Sequence, residues 1–197
     1  MTGTNPHSDE TLRQLFKYCN HCMLLMWRAG LGRWINVWPE GIGRIMVLTT
    51  TGRKSGLRRR TPVNYAIVDG EVYCTAAFGP GADWYRNVRA NPFVEVWLPD
   101  GWWEGEAEEV TDSARRLPAL REVLIASAFA GRAAGIDAQN MTDAELDALT
   151  REYRLIRVRR GAARTGPDGP GDLAWVWPVA TTVLALMLLM RPRRRRR

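Results

Sequence analysis

The chain has 197 residues, 46% of them hydrophobic, which is enough for one domain with a real core plus appendages and excludes disorder over most of its length. The formal charge of +7 is concentrated at one end: Arg191 and Arg193 to Arg197 supply six of those charges, and removing them leaves +1. A nucleic-acid-binding domain needs a basic face on its folded body, so that class is excluded.

Residues Met1 to Thr11 are polar and include Asp9 and Glu10, unlike a secretory signal, and the three cysteines, Cys19, Cys22 and Cys74, suit a reducing compartment. From about Asp9 to Trp38 the pattern is helical, with Ser8 as N-cap and breaks at Gly30 and Gly32. The period then changes. Strands are predicted over Arg44–Thr51, Arg60–Val68 and Glu71–Ala77, the last two joined by a tight Asp69-Gly70 turn. A short helix from Trp84 must stop before Pro92. A second hairpin pairs Phe93–Leu98 with Trp102–Val110 across Pro99-Asp100-Gly101. Helices follow over Ser113–Ala134 and Asp143–Thr150, the second opened by a Thr142/Glu145 capping box. Arg154–Arg160 alternates apolar and basic residues, as a strand with one wet face does. Six short strands and flanking helices predict an α+β, mainly β fold, a closed or partly closed antiparallel barrel.

The expected organisation is a helical segment (1–42), a barrel with inserted helices (43–160), a Gly/Pro-rich linker (161–172), an apolar helix (173–190) and an arginine tail (191–197). Leu173 to Met190 is 18 residues without a charge, about 27 Å as a helix against a hydrocarbon core of about 30 Å. A single span and a helix lying in the membrane interface are both open, the first narrowly preferred; burial in an oligomer is the alternative. Either membrane arrangement places the protein on the cytoplasmic face of the cell membrane, holding lipid through this helix and the arginine tail. Trp97, Trp102 and Trp103 cover a barrel end or form a homodimer interface, while Trp175 and Trp177 resemble an interfacial belt.

The segment Thr49 to Pro62, TTTGRKSGLRRRTP, is the richest in chemistry. Gly52 and Gly56 permit backbone conformations that aim successive N–H groups at an anion, and Lys54, Arg59 and Arg60 add charge. On composition alone a solvated basic hairpin is the commoner outcome. The only histidines, His7 and His21, precede the first strand, so a nucleophilic triad is not expected. Cys19 and Cys22 read as core cysteines rather than metal ligands, no metal site is predicted, and Glu104, Glu106, Glu108 and Glu109 read as solvated.

Thr-Thr-Gly-Arg-Lys-Ser-Gly, then Arg59-x-x-Pro62, then Trp84-Tyr85-x-Asn87-x-x-x-Asn91-Pro92, resembles the deazaflavin-dependent nitroreductase and quinone reductase family, strongly over Gly43–Val110 and loosely over Leu120–Trp177. The resemblance implies a split β-barrel binding coenzyme F420, with FMN the lesser alternative, and hydride reduction of a quinone or nitroaromatic acceptor. It implies that Arg53, Lys54, Ser55 and Arg59 hold the coenzyme's phosphate and acidic tail. Thr61, Pro62, Val63, Asn64, Ala76, Ala77 and Phe78 would run along the ring, and Trp84, Tyr85, Arg86 and Asn87 would close the site. Asn64 departs from an aromatic residue common there, and Tyr65 should face the other side of its strand. Hydride transfer asks little of side chains, so Tyr85 and Tyr153 are the candidate catalytic residues, as hydrogen-bond donors to the acceptor. A non-enzymatic coenzyme carrier and a membrane-tethered interaction module are the rival readings.

Overall fold

The computed structural model describes residues 18–37, 43–128, 131 and 135–190. Six strands close into one antiparallel barrel: β1 (Ile45–Thr51), β2 (Arg58–Val68), β3 (Glu71–Ala76), β4 (Phe93–Leu98), β5 (Gly101–Glu109) and β6 (Arg154–Ala163), in the order β1-β2-β3-β6-β5-β4. This is the mainly-β barrel the alternation predicts. Around it lie α1 (helical residues 18–28), α2 (Gly32–Ile35), α3 (Asp83–Ala90), α4 (Ser113–Ala126), α5 (Asp143–Leu149) and α6 (Val176–Leu189).

Successive side chains alternate across the barrel wall, which divides the apolar residues among three clusters. Met46, Leu48, Val63, Tyr65, Val72, Cys74, Ile156 and Val158 fill the lumen with Tyr85 and Val88 of α3. Outside β2, β3 and β6, the residues Ala66, Tyr73 and Leu155 pack with Leu120 and Val123 of α4 and Leu146 of α5. Outside β1, β4 and β5, the residues Val47, Trp97 and Trp102 pack with Trp27 of α1 and Ile35 of α2. Burial on both faces is why β1 reads as an apolar run rather than an alternation.

Local signals hold where the backbone makes a special demand. Asp69 and Gly70 take φ of +51° and +80° between the paired Val68 and Glu71, the mirror-type turn that matches strand twist. The capping box closes α5: Glu145 N–H donates to Thr142 Oγ1, and Thr142 N–H donates back to Glu145 Oε2 at 2.9 Å.

Several expectations are corrected. The helix from Ser113 ends at Ala126, where Ser127 Oγ donates back to Val123 O at 2.7 Å and Ala128 takes φ +41°. Trp97 and Trp102 are buried within one chain beneath α1 and α2, so a homodimer would need another surface. Cys19 and Cys22 are exposed because the turn of α1 that meets the barrel is set by Trp27, whereas Cys74 is buried in the lumen. The β5 carboxylates are paired across strands: Glu106 with Arg159, Glu108 with Arg157 and Glu104 with Arg164. Strand β6 runs on to Ala163, and residues 164–172 lie folded on the barrel rather than free. The apolar run forms a helix only from Val176 to Leu189, and among the described residues no helix is long and apolar enough to cross a membrane. Ser8, the rest of segment 1–17, residues 38–42 and the arginine tail lie outside the described residues.

Candidate functional site

Between β1 and β2 the Gly52-Arg53-Lys54-Ser55-Gly56 loop closes on itself. Gly52 N–H donates to Leu57 O at 2.8 Å, and the N–H groups of Gly56 and Ser55 donate to Gly52 O at 2.7 and 3.1 Å. Gly56 takes φ +67°, as its type allows. Gly52 is required for a different reason: a Cβ there would meet Ser55 Oγ at 2.9 Å and Leu57 O at 3.1 Å.

Asn87, buried on α3, clamps this loop to the barrel. Its Oδ1 accepts from Arg53 N–H at 3.2 Å and from Arg53 Nη1 at 3.1 Å, while its Nδ2 donates to Thr50 Oγ1 at 3.3 Å. Arg53 Nη2 also pairs with Asp83 Oδ1 at 3.0 Å. The expectation that successive loop N–H groups face an anion is therefore corrected. Those of Gly52, Arg53, Ser55 and Gly56 are already bonded inside the protein, which leaves the side chains of the loop as the groups free to meet an anion.

The loop borders a cavity of about 850 Å³, within the range of small-molecule sites. Leu24 of α1, Gly52 to Ser55, Arg58 to Thr61, the α3 residues Asp83, Trp84 and Asn87, and Asp168 line it. Of its cations, Arg53 pairs with Asp83 and Arg58 with Glu95. Among the described residues Lys54 and Arg59 have no carboxylate partner. Arg60 lies 5.0 Å from the centroid of the Trp97 ring and donates from Nη2 to Asp168 O at 2.7 Å. Its Nε is buried without a partner, and burial, with the charge of Arg58 next, lowers its pKa. Two unpaired cations and one orphaned guanidinium donor fit a multiply anionic ligand.

Arg53, Lys54, Ser55, Arg59, Thr61, Trp84 and Asn87 are brought together at this cavity as the sequence predicts. Pro62, Val63, Asn64, Ala76, Ala77, Phe78, Tyr85 and Arg86 are not. Val63, Ala76 and Tyr85 turn into the lumen, and Asn64 lies on the other side of β2 from Tyr65, donating from Nδ2 to Arg44 O at 3.2 Å. Arg86 Nε donates to Pro80 O at 2.8 Å on the exposed side of α3, and Ala77 and Phe78 are exposed beyond β3.

The two phenols do not meet. Tyr85 OH donates to Glu109 Oε2 at 2.8 Å, and Arg89 Nη1 donates to that oxygen at 2.6 Å. Burial first, and Glu109 next, push this phenol's pKa up. Tyr153 packs against the cluster under α4 and α5, where burial raises its pKa. Neither lines the cavity, so their placement gives no support to a role in the reaction. Leu24, Arg58, Asp83 and Asp168 were missed; Arg58 was readable in the basic run of β2, whereas Asp168 comes from a stretch whose composition signals only a linker.

The family described as F420H(2)-dependent quinone reductase matches residues 26–149, more than half of the chain. The match takes in the end of α1 and stops before β6. A crystal structure of a conserved hypothetical protein from Mycobacterium tuberculosis is 21% identical, with 68% of this chain and 80% of that one covered and a TM-score of 0.48. An F420-H2 dependent reductase, FDR-A, is 27% identical, with 58% and 93% covered and a TM-score of 0.43. A chain described as a domain-swapped dimer is 26% identical, with 58% and 79% covered and a TM-score of 0.44. All three TM-scores are below 0.5, so membership rests on the family match.

Proposed function

The chain belongs to the F420H(2)-dependent quinone reductase family, and from that premise we propose that it reduces a quinone-like acceptor by two electrons at an anionic membrane surface. It is an oxidoreductase, and its coenzyme is F420. When bound, the reduced deazaflavin supplies the hydride. The observation that carries the site is the pair Lys54 and Arg59, cations without carboxylate partners among the described residues, on the rim of a cavity where Arg53 and Arg58 are ion-paired. They would hold the coenzyme's phosphate and acidic tail, with Arg60 as a further donor. Leu24 and Trp84 give the cavity apolar wall for a flat ring, and Asn87 holds the loop in place.

The membrane part of the proposal rests on α6. This helix is apolar on every side and buries none of its residues. Such a helix belongs in a core or in lipid. At 14 residues it is about 21 Å long, short of a bilayer's hydrocarbon core, so it lies in the interface rather than across it. Lying flat puts Trp175 and Trp177 at headgroup level at one end, and in sequence the helix is followed by arginines suited to anionic headgroups. A lipid-soluble quinone partitions into the adjoining hydrocarbon. The free thiols of Cys19, Cys22 and Cys74 suit the cytoplasmic face.

The test is oxidation of reduced F420 by a menaquinone-type quinone in vesicles. Turnover is expected with the whole chain; coenzyme binding without turnover would favour the carrier reading. Lys54→Ala and Arg59→Ala should each remove a charge-assisted contact of about 1.5 to 3 kcal/mol, weakening coenzyme binding roughly ten- to hundred-fold in a fluorescence titration. If both variants bind like the parent, the site is misplaced.

A further inference from the structure

Helix α1 and the segment leading into α6 are one unit. Gly30, at φ +79°, ends α1, its N–H donating back to Trp27 O at 3.1 Å, and the last carbonyls of the helix turn toward the C-terminal segment. That segment supplies donors to them. Gly171 N–H donates to Trp27 O at 3.0 Å, Leu173 N–H to Arg28 O at 2.8 Å, and Trp177 Nε1 to Ala29 O at 2.8 Å. A bidentate ion pair locks the junction: Arg28 Nε lies 3.0 Å from Asp172 Oδ1 and Arg28 Nη2 lies 2.7 Å from Asp172 Oδ2. Asp172 is only 12% exposed, which places this pair among the partly desolvated ones.

The outer side of this unit is apolar and open. Tyr18, Cys22 and Leu25 fall at i, i+4 and i+7 on α1, one helical stripe, and all three are exposed. The stripe leads to Ala29, where Trp177 docks, so the exposed side of α6 continues it. The inner side reaches the cavity twice: Leu24 of α1 lines it, and Asp168 of the segment before α6 both lines it and accepts from Arg60 at 2.7 Å.

We propose that α1 and the segment 164–190 form a single lipid-facing cap, clasped by Arg28 and Asp172, and that seating this cap on an anionic bilayer tightens coenzyme binding because the cap supplies two walls of the cavity. The occupant is lipid rather than a protein partner: α6 has no polar side to leave in water beyond a protein groove, and the arginines that follow it in sequence match anionic headgroups. This rests on the membrane reading above. Linkage makes the effect reciprocal, so coenzyme also tightens the hold on the membrane by the same factor.

The experiment titrates F420 into the full chain, with and without phosphatidylglycerol vesicles, and measures vesicle binding by flotation. Vesicles should lower the coenzyme dissociation constant about five-fold or more. Arg28→Ala and Asp172→Asn should still float with vesicles and bind coenzyme without them, yet lose that tightening; the charge-exchanged double variant, Arg28→Asp with Asp172→Arg, should regain part of it. Vesicle binding with an unchanged coenzyme constant in the parent overturns the coupling while leaving membrane association standing. Equal tightening in parent and clasp variants overturns the clasp formed by Arg28 and Asp172. A parent chain that does not float at all overturns the membrane reading and this inference together.

Discussion

At the scale of single residues, Asn87 does the most to hold the site together, from a position on the cavity wall. Its amide works at both ends, Oδ1 accepting twice from Arg53 and Nδ2 donating once to Thr50. Asn87→Ala leaves these buried groups unpaired and should cost about 1 to 3 kcal/mol of stability, with coenzyme affinity falling and the turnover of bound coenzyme little changed. Equal losses in both kinetic parameters would point to direct contact with the reaction instead. Cys74 reports on the lumen in another way. Burial pushes its thiol up to about 12 from 9.0. The folded chain keeps this proton when the unfolded chain has lost it, so the contribution to stability is complete below pH 9 and is lost as pH rises toward about 12, by roughly 1 kcal/mol per pH unit. Cys74→Ala should flatten that slope in denaturant titrations above pH 9, and an unchanged slope would place its origin in the phenols of Tyr65, Tyr85 and Tyr153, whose shifts have the same sign.

At the scale of elements, the sheet and the helices after β3 and β5 were legible, and the packing of α1 and of the segment after β6 was not. Strand bounds follow from alternation and from turn residues such as Asp69 and Gly70, whose left-handed φ values few other residues tolerate. The Gly-Arg-Lys-Ser-Gly loop was legible for the same reason, since its glycines and cations are local chemistry. What α1 and the segment after β6 do was not legible, because their partners are remote in sequence: Arg28 meets Asp172 and Arg60 meets Asp168. The side of α3 that Tyr85 takes was not legible, because motif spacing gives a helix face its surroundings only after the helix is docked; Trp84 and Asn87 face the cavity and Tyr85 the lumen. Gly169 exposes this hidden order. A Cβ there would stand 2.6 Å from the Trp102 ring. Gly169→Ala should therefore lift the segment, loosen Asp168 from Arg60 and destabilise by about 1 to 3 kcal/mol, read as a lower Tm together with weaker coenzyme binding. A free linker would tolerate the change, and an unaltered Tm would restore that reading.

At the scale of the whole molecule, the barrel is nearly neutral, and the proposed attachment to a membrane would divide between two kinds of force. The exposed apolar length of α6 would contribute a term proportional to buried area that salt does not weaken. The six arginines of residues 191–197 would contribute about 1 kcal/mol each at an anionic surface, a term that salt screens within a Debye length of about 8 to 10 Å. Replacing those six arginines with serine should lower affinity for phosphatidylglycerol vesicles and remove most of its salt dependence, while leaving residual, salt-insensitive binding. A chain ending at Asp172 keeps the Arg28 pair but loses α6 and should stay in the aqueous fraction without detergent. Topology separates the two arrangements that the apolar run allows. If α6 lies in the interface, a protease that reaches the barrel on sealed vesicles also reaches the tail; if the helix spans, the tail is protected whenever the barrel is accessible. Protection would refute the in-plane helix. It would also require the helix to extend back to Leu173 and on to Met190 to approach a core of about 30 Å, against six positive charges that such a crossing would have to carry to the far side.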